Sequence, residues 1–154
     1  MHMCAVLQTT VPRLGPARMT DAERTEFAEA HNVAANSALG QGLVQDAVEA
    51  YTKAIDCAHD GLPRLAVYYA NRSQARLRLE QYELAGYDAS FALLLDPALW
   101  KARLRLVRAL EAIGRSEEAA VAAAALLAAS PPAAAAQEAS AVLRRQPAAS
   151  DPAP

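Results

Sequence analysis

Lys101, Arg105 and Arg108 stand at i, i+4 and i+7, and Asn71, Gln74 and Arg78 stand at i, i+3 and i+7. On a helix, each trio shares one face. Lysine and arginine side chains carry donors only, and the guanidinium fork matches a carboxylate with two parallel bonds. Two such faces set against each other would hold an anion. Crowding like charges at one-turn spacing costs roughly a few tenths of a kcal/mol each. A basic stripe is most simply a solvated face, but the amides Asn71 and Gln74 on the opposing helix favour the anion site.

Covalent chemistry finds less support. His31 could act as a base, but spacing places no serine or cysteine nucleophile beside it, so it is expected to be packed or solvated. Cys57 and His59 lie two apart and would face differently on a helix, which makes a zinc site improbable. Gly40-Gln41-Gly42 follows a helix and lacks a third glycine, so it reads as a turn. No metal, no cofactor and no catalytic constellation is expected, and the chain is not read as an enzyme.

The charge is unevenly spread along the 154 residues, although the total is only −2. From Asp21 to Asp60 eight acids face two bases; from Gly61 to Leu110 eight bases face four acids. A basic middle inside an acidic protein suits an anionic ligand, while the total advertises neither nucleic acid nor membrane. Two cysteines cannot form a disulfide framework, and a reduced, cytoplasmic setting is the default. The stretch 1–18 lacks acids and carries Arg13 and Arg18. That composition suits a targeting segment, but a disordered extension over 1–19 is the simpler expectation. The tail 146–154, "QPAASDPAP", is too polar and proline-rich to fold.

Alanine dominates a composition that is 53% hydrophobic and only 5% aromatic. That balance favours helix over strand and an all-α class. A capping box, Thr20-Asp21-Ala22-Glu23, opens the ordered part. Helices are expected at about 21–39, 43–57, 64–79, 82–95, 98–112, 116–130 and 132–145. The breaks between them are Gly40-Gln41-Gly42, "HDGLP", Asp96-Pro97, Gly114-Arg115-Ser116 and Pro131-Pro132. The domain is thus expected over 20–145.

Self-similarity organises these helices. "DAVEAYTKAI", "LAGYDASFAL" and "EAAVAAAALL" each place an alanine second, at Ala47, Ala85 and Ala119. The first interval is slightly the longer, and the "HDGLP" loop accommodates the excess. Tyr51, Ala89 and Ala123 stand one helical turn further on, and Pro97 and Pro131 close the second and third units. A small residue is needed where two helices cross closely. A period of about 34 with these features resembles the tetratricopeptide repeat. The resemblance covers roughly positions 28–131. It implies three tandem helix-turn-helix repeats plus a C-terminal capping helix, forming a right-handed superhelical array with a concave groove lined by the first helix of each repeat.

Within that family the chain resembles co-chaperone domains that bind the C-terminal Glu-Glu-Val-Asp peptides of the seventy- and ninety-kilodalton heat-shock chaperones. Those domains use a two-carboxylate clamp. Tyr69-Ala70-Asn71-Arg72-Ser73 matches their second-helix "Y-x-N-R-S" context, Asn36 falls on the first-helix asparagine, and Lys101 and Arg105 fall on the third-helix pair. Asn32 stands where the pattern has a lysine. A neutral bond in place of a charge-assisted one costs roughly 1 kcal/mol, about fivefold in affinity.

The resemblance implies a co-chaperone-like adaptor whose peptide-binding residues are Asn32, Asn36, Asn71, Gln74, Arg78, Lys101, Arg105 and Arg108. Val67, Ala70 and Leu104 would touch the penultimate valine. A repeat scaffold binding a different protein partner in the same groove is the alternative. An RNA-binding role would use the basic middle but needs stacking aromatics among the bases, and only Tyr68, Tyr69 and Trp100 are near.

Overall fold

The first helix opens on a side-chain cap, whereas the five that follow it have none. The computed structural model describes residues 19–58, 61, 62 and 64–145, and among these there is no strand. The helices are α1 (Asp21–Gly40), α2 (Val44–Cys57), α3 (Leu65–Arg78), α4 (Tyr82–Leu95), α5 (Trp100–Ala112), α6 (Ser116–Ala128) and α7 (Ala133–Arg145). Thr20 opens α1 with both halves of the capping box: Thr20 Oγ1 accepts from Glu23 N at 3.2 Å, and Thr20 N donates to the Glu23 carboxylate at 2.8 Å. Helix α5 starts at Trp100 rather than near 98, because Asp96 Oδ1 accepts from Ala98 N at 3.0 Å and holds that segment in a turn. Gly40 belongs to α1, and the break falls on Gln41 and Gly42. The extension expected over 1–19 lies, except for Met19, outside the described residues, as do His59, Asp60, Pro63 and the tail 146–154.

Helices α1, α3 and α5 end alike. Gly42, Glu80 and Gly114 have φ of 80°, 58° and 78°. The next amide in each case reaches back to the helix: Leu43 N to Ala38 O, Gln81 N to Arg76 O and Arg115 N to Leu110 O, all at 2.9 Å. This six-to-one bond with a left-handed residue before it is a helix-terminating device that satisfies orphan carbonyls. It recurs at the same spacing as Ala47, Ala85 and Ala119, which are all fully buried. At each the helices of a repeat cross, and a larger side chain would have no room.

The result is a helical repeat array. Each helix packs on its sequence neighbours, and α3 also touches α5 while α5 touches α7. The first helices of the three repeats and α7 therefore lie side by side in one layer, with α2, α4 and α6 behind. Ala139 and Val142 of α7 join Val107, Leu110, Ala119, Ala122, Ala123 and Leu126 in one buried cluster, so α7 closes the last repeat. No described helix is long and apolar enough to cross a membrane.

Candidate functional site

The layer formed by α1, α3, α5 and α7 is stitched by polar side chains. Asn71 Nδ2 of α3 donates to Asn32 Oδ1 of α1 at 3.3 Å. Arg78 Nη1 donates to the Leu39 carbonyl at the end of α1 at 3.1 Å. Arg105 Nη2 of α5 donates to Gln74 Oε1 of α3. Arg108 donates to both carboxylate oxygens of Glu138 on α7 at 2.6 and 2.7 Å. All eight residues expected to bind peptide thus lie on the four helices' common layer or its edges, although their exposure differs widely.

Asn32 is only 1% exposed. Its amide is enclosed between α1 and α3, with Oδ1 on Asn71 and Nδ2 3.5 Å from Glu29 Oε1. Asn36 is exposed, and its Oδ1 accepts from the buried Tyr51 hydroxyl at 2.7 Å. That bond leaves the Asn36 NH2 group turned away from α2 as a donor. Lys101 is exposed, its ammonium 5.8 Å from the Trp100 ring centroid. Gln74, Arg78 and Arg108 line a cleft of about 420 Å³ with Leu77 and Tyr82. Arg108 is a less available donor than helical spacing alone suggests, because Glu138 engages its fork and holds its pKa up.

Arg105 dominates the electrostatics. It is 8% exposed, and its Nη1 is enclosed with no hydrogen-bond partner among the described residues. Burial pushes its pKa down to about 10, the Tyr51 hydroxyl acts against that shift, and nearby Arg108 adds to it. A buried cation with an unused donor is costly to keep without a counter-charge. No carboxylate among the described residues pairs with Arg105, Lys101 or Arg78. Three cations of this layer are thus left without a carboxylate of their own among the described residues.

At the other end the sign reverses. Glu29 accepts from the Tyr68 hydroxyl at 2.8 Å and pairs with Arg64 at 3.1 Å. Burial first, and then the Glu29 hydrogen bond, push the Tyr68 hydroxyl up to about 12. Helical spacing already sets Glu29 one turn from Asn32 on this face, but gives no sign that its carboxylate meets the Tyr68 hydroxyl and Arg64. Tyr51 is legible only as a repeat position, and its hold on Asn36 depends on the α1–α2 crossing. The Arg72–Asp88–Arg76 cluster between α3 and α4 is equally hidden: Asp88, buried, accepts from both arginines at 2.8–2.9 Å.

Known proteins share this fold. No protein-family model matches the chain. It is 37% identical over 99 residues to the small glutamine-rich tetratricopeptide repeat-containing protein 2 of Saccharomyces cerevisiae, a stretch that is 64% of this chain and 28% of that one. The chain thus spans little more than a quarter of that relative's length. Among solved structures, the tetratricopeptide domain of Arabidopsis OM64 is 33% identical, with a TM-score of 0.72 over 79% of this chain and 98% of that domain. The second such domain of Spaghetti (RPAP3), bound to the HSP90 peptide SRMEEVD, is 31% identical, with a TM-score of 0.64 over 70% of this chain and 90% of that one. The repeated turns, the buried alanines and these likenesses agree: the chain belongs to the tetratricopeptide-repeat family.

Proposed function

We propose that the chain is a co-chaperone-like adaptor that binds acidic C-terminal peptides of the Glu-Glu-Val-Asp type, carried by seventy- or ninety-kilodalton heat-shock chaperones, in the cytoplasm. The observation that carries this reading is that Lys101, Arg105 and Arg78, three cations of one layer, have no carboxylate of their own among the described residues. A terminal carboxylate supplies the missing counter-charge. Lys101 and Arg105 take one carboxylate of the last aspartate, and the amides of Asn36 and Asn71 take the other, with Asn32 holding Asn71 in place. Leu104 and Val67 offer apolar contact to the preceding side chain. The likeness to a domain bound to SRMEEVD supports the choice of peptide.

Calorimetric titration with a peptide ending Glu-Glu-Val-Asp, beside the same peptide amidated, tests the proposal. Binding near micromolar that vanishes on amidation is expected. Equal binding of both forms, or of neither, would remove the clamp. Glu29 beside Asn32 favours a second reading, in which the groove has adapted to a different protein partner that presents a neutral or basic group at the α1 end. Affinity for such an internal segment above that for the free acidic C-terminus would select it.

A further inference from the structure

The back of the array carries a surface that peptide binding does not use. Leu84, Tyr87, Phe91, Leu94 and Leu95 of α4 fall within a single face at helical spacing, and all are exposed. Tyr87 is 73% and Leu94 77% exposed, and Val121 of α6 beside them is 73% exposed. Counting about 200 Å² for a large side chain, the six present roughly 700 Å² of apolar surface. That exceeds the about 300–600 Å² of a typical monomer's largest patch and approaches the about 800 Å² that each partner buries in a standard interface. The stripe carries one exposed charge, Glu83, at its margin. Depletion of charge from the centre of a patch is a mark of an interface.

Beside the ridge lies a groove of about 520 Å³ between α4 and α6, floored by α5. Small residues shape it: Gly86, Ala109, Ala122 and Ala125. A Cβ at Gly86 would already meet Ala109 Cβ at 3.6 Å. Ridge and groove sit on one face, so this face is both knob and hole. A two-fold axis would seat α4 of each copy in the groove of the other, which is the self-complementarity that an isologous contact demands. The rim carries both signs of charge, Glu83 and Glu118 with Arg103 and Arg115. Two copies related by an axis can therefore set unlike charges together.

We infer that the α4–α6 back face is a homodimer interface, formed by a second copy of this chain. The two peptide-binding layers then face outward, one on each side of the dimer.

Sedimentation velocity of the full chain without peptide, from low micromolar to several hundred micromolar, tests this. The mass should climb towards twice that of the chain. Leu94→Glu and Tyr87→Asp should each weaken association at least tenfold, with circular dichroism and peptide affinity unchanged, since neither side chain belongs to the core. A single species of monomer mass across the whole range would overturn the inference. So would a dimer that neither substitution weakens.

Discussion

Arg105 on α5 commits its Nη2 to Gln74 of α3 and keeps its Nη1 enclosed and unpaired. The arrangement is better suited to the bound state than to the free one. Removing a buried charge that lacks its counter-ion relieves a desolvation cost, while the proposed ligand loses its strongest donor. Arg105→Met should therefore raise the stability of the free protein by about 1 kcal/mol. The same variant should cut affinity for an acidic C-terminal peptide at least tenfold. Thermal denaturation and calorimetry on the same preparation check both halves; a variant that is destabilised and still binds would contradict this account of Arg105.

In the proposed clamp, Tyr51 acts through Asn36. Its buried hydroxyl donates to Asn36 Oδ1 at 2.7 Å and so presents the amide NH2 group outward. Tyr51→Phe keeps the ring and its packing but frees the amide to rotate. The loss of one such restraint is worth about 1 kcal/mol, so affinity should fall roughly fivefold. Asn36→Ala should cost at least as much, and adding Tyr51→Phe to it should cost no more. A full additive loss in the double variant would show that Tyr51 acts by another route.

Much of the fold is legible in the sequence because it rests on residue size and turn chemistry. Ala47, Ala85 and Ala119 announce helix crossings, and Gly42 and Gly114 announce left-handed helix ends. Glu80 is the third such end, and nothing in its side chain reveals it; only the period does. The site is legible as a set of faces and no further. Helical spacing places Asn32, Arg105 and Arg108 on the inward layer, but burial depends on how closely α3 and α7 approach. Distances between helices are not encoded in spacing along one of them, so the enclosure of Asn32 and the Glu138 clasp on Arg108 emerge only in three dimensions.

Glu80 offers a stability test of the repeat. Its φ is 58°. That conformation costs a side chain about 1–2 kcal/mol relative to glycine, offset in part by the greater freedom of glycine in the unfolded chain. Glu80→Gly should raise stability by roughly 0.5–1 kcal/mol, read as a higher urea midpoint at unchanged slope. Gly114→Glu at the equivalent turn should lower the midpoint by a similar amount.

Asp88 binds α3 to α4 through Arg72 and Arg76, and it is 4% exposed. Asp88→Ala leaves two largely buried guanidinium groups with no counter-charge, one of them with its Nε already unpartnered. A loss of about 3–5 kcal/mol is expected, enough to unfold a small array near physiological temperature. Replacing all three residues by leucine or methionine should recover most of that loss. Failure of the triple variant to outperform Asp88→Ala in denaturant titrations would show that the cluster does more than neutralise its own charges.

Asn32 and Glu29 together set what the α1 end of the layer can take. Restoring a lysine at position 32 supplies the charge that the related clamp has, but the new ammonium would lie where Glu29 Oε1 is now 3.5 Å from the amide. An intramolecular ion pair would then compete with the ligand, so Asn32→Lys alone should change peptide affinity by less than about threefold. Glu29→Gln removes the competitor while keeping an acceptor for the Tyr68 hydroxyl. The double variant should bind roughly fivefold tighter than the parent, the difference between a neutral and a charge-assisted bond. Calorimetry on the four members of the cycle isolates the coupling. If Asn32→Lys gains the full factor by itself, Glu29 does not compete, and the α1 end is simply a clamp that lacks its lysine.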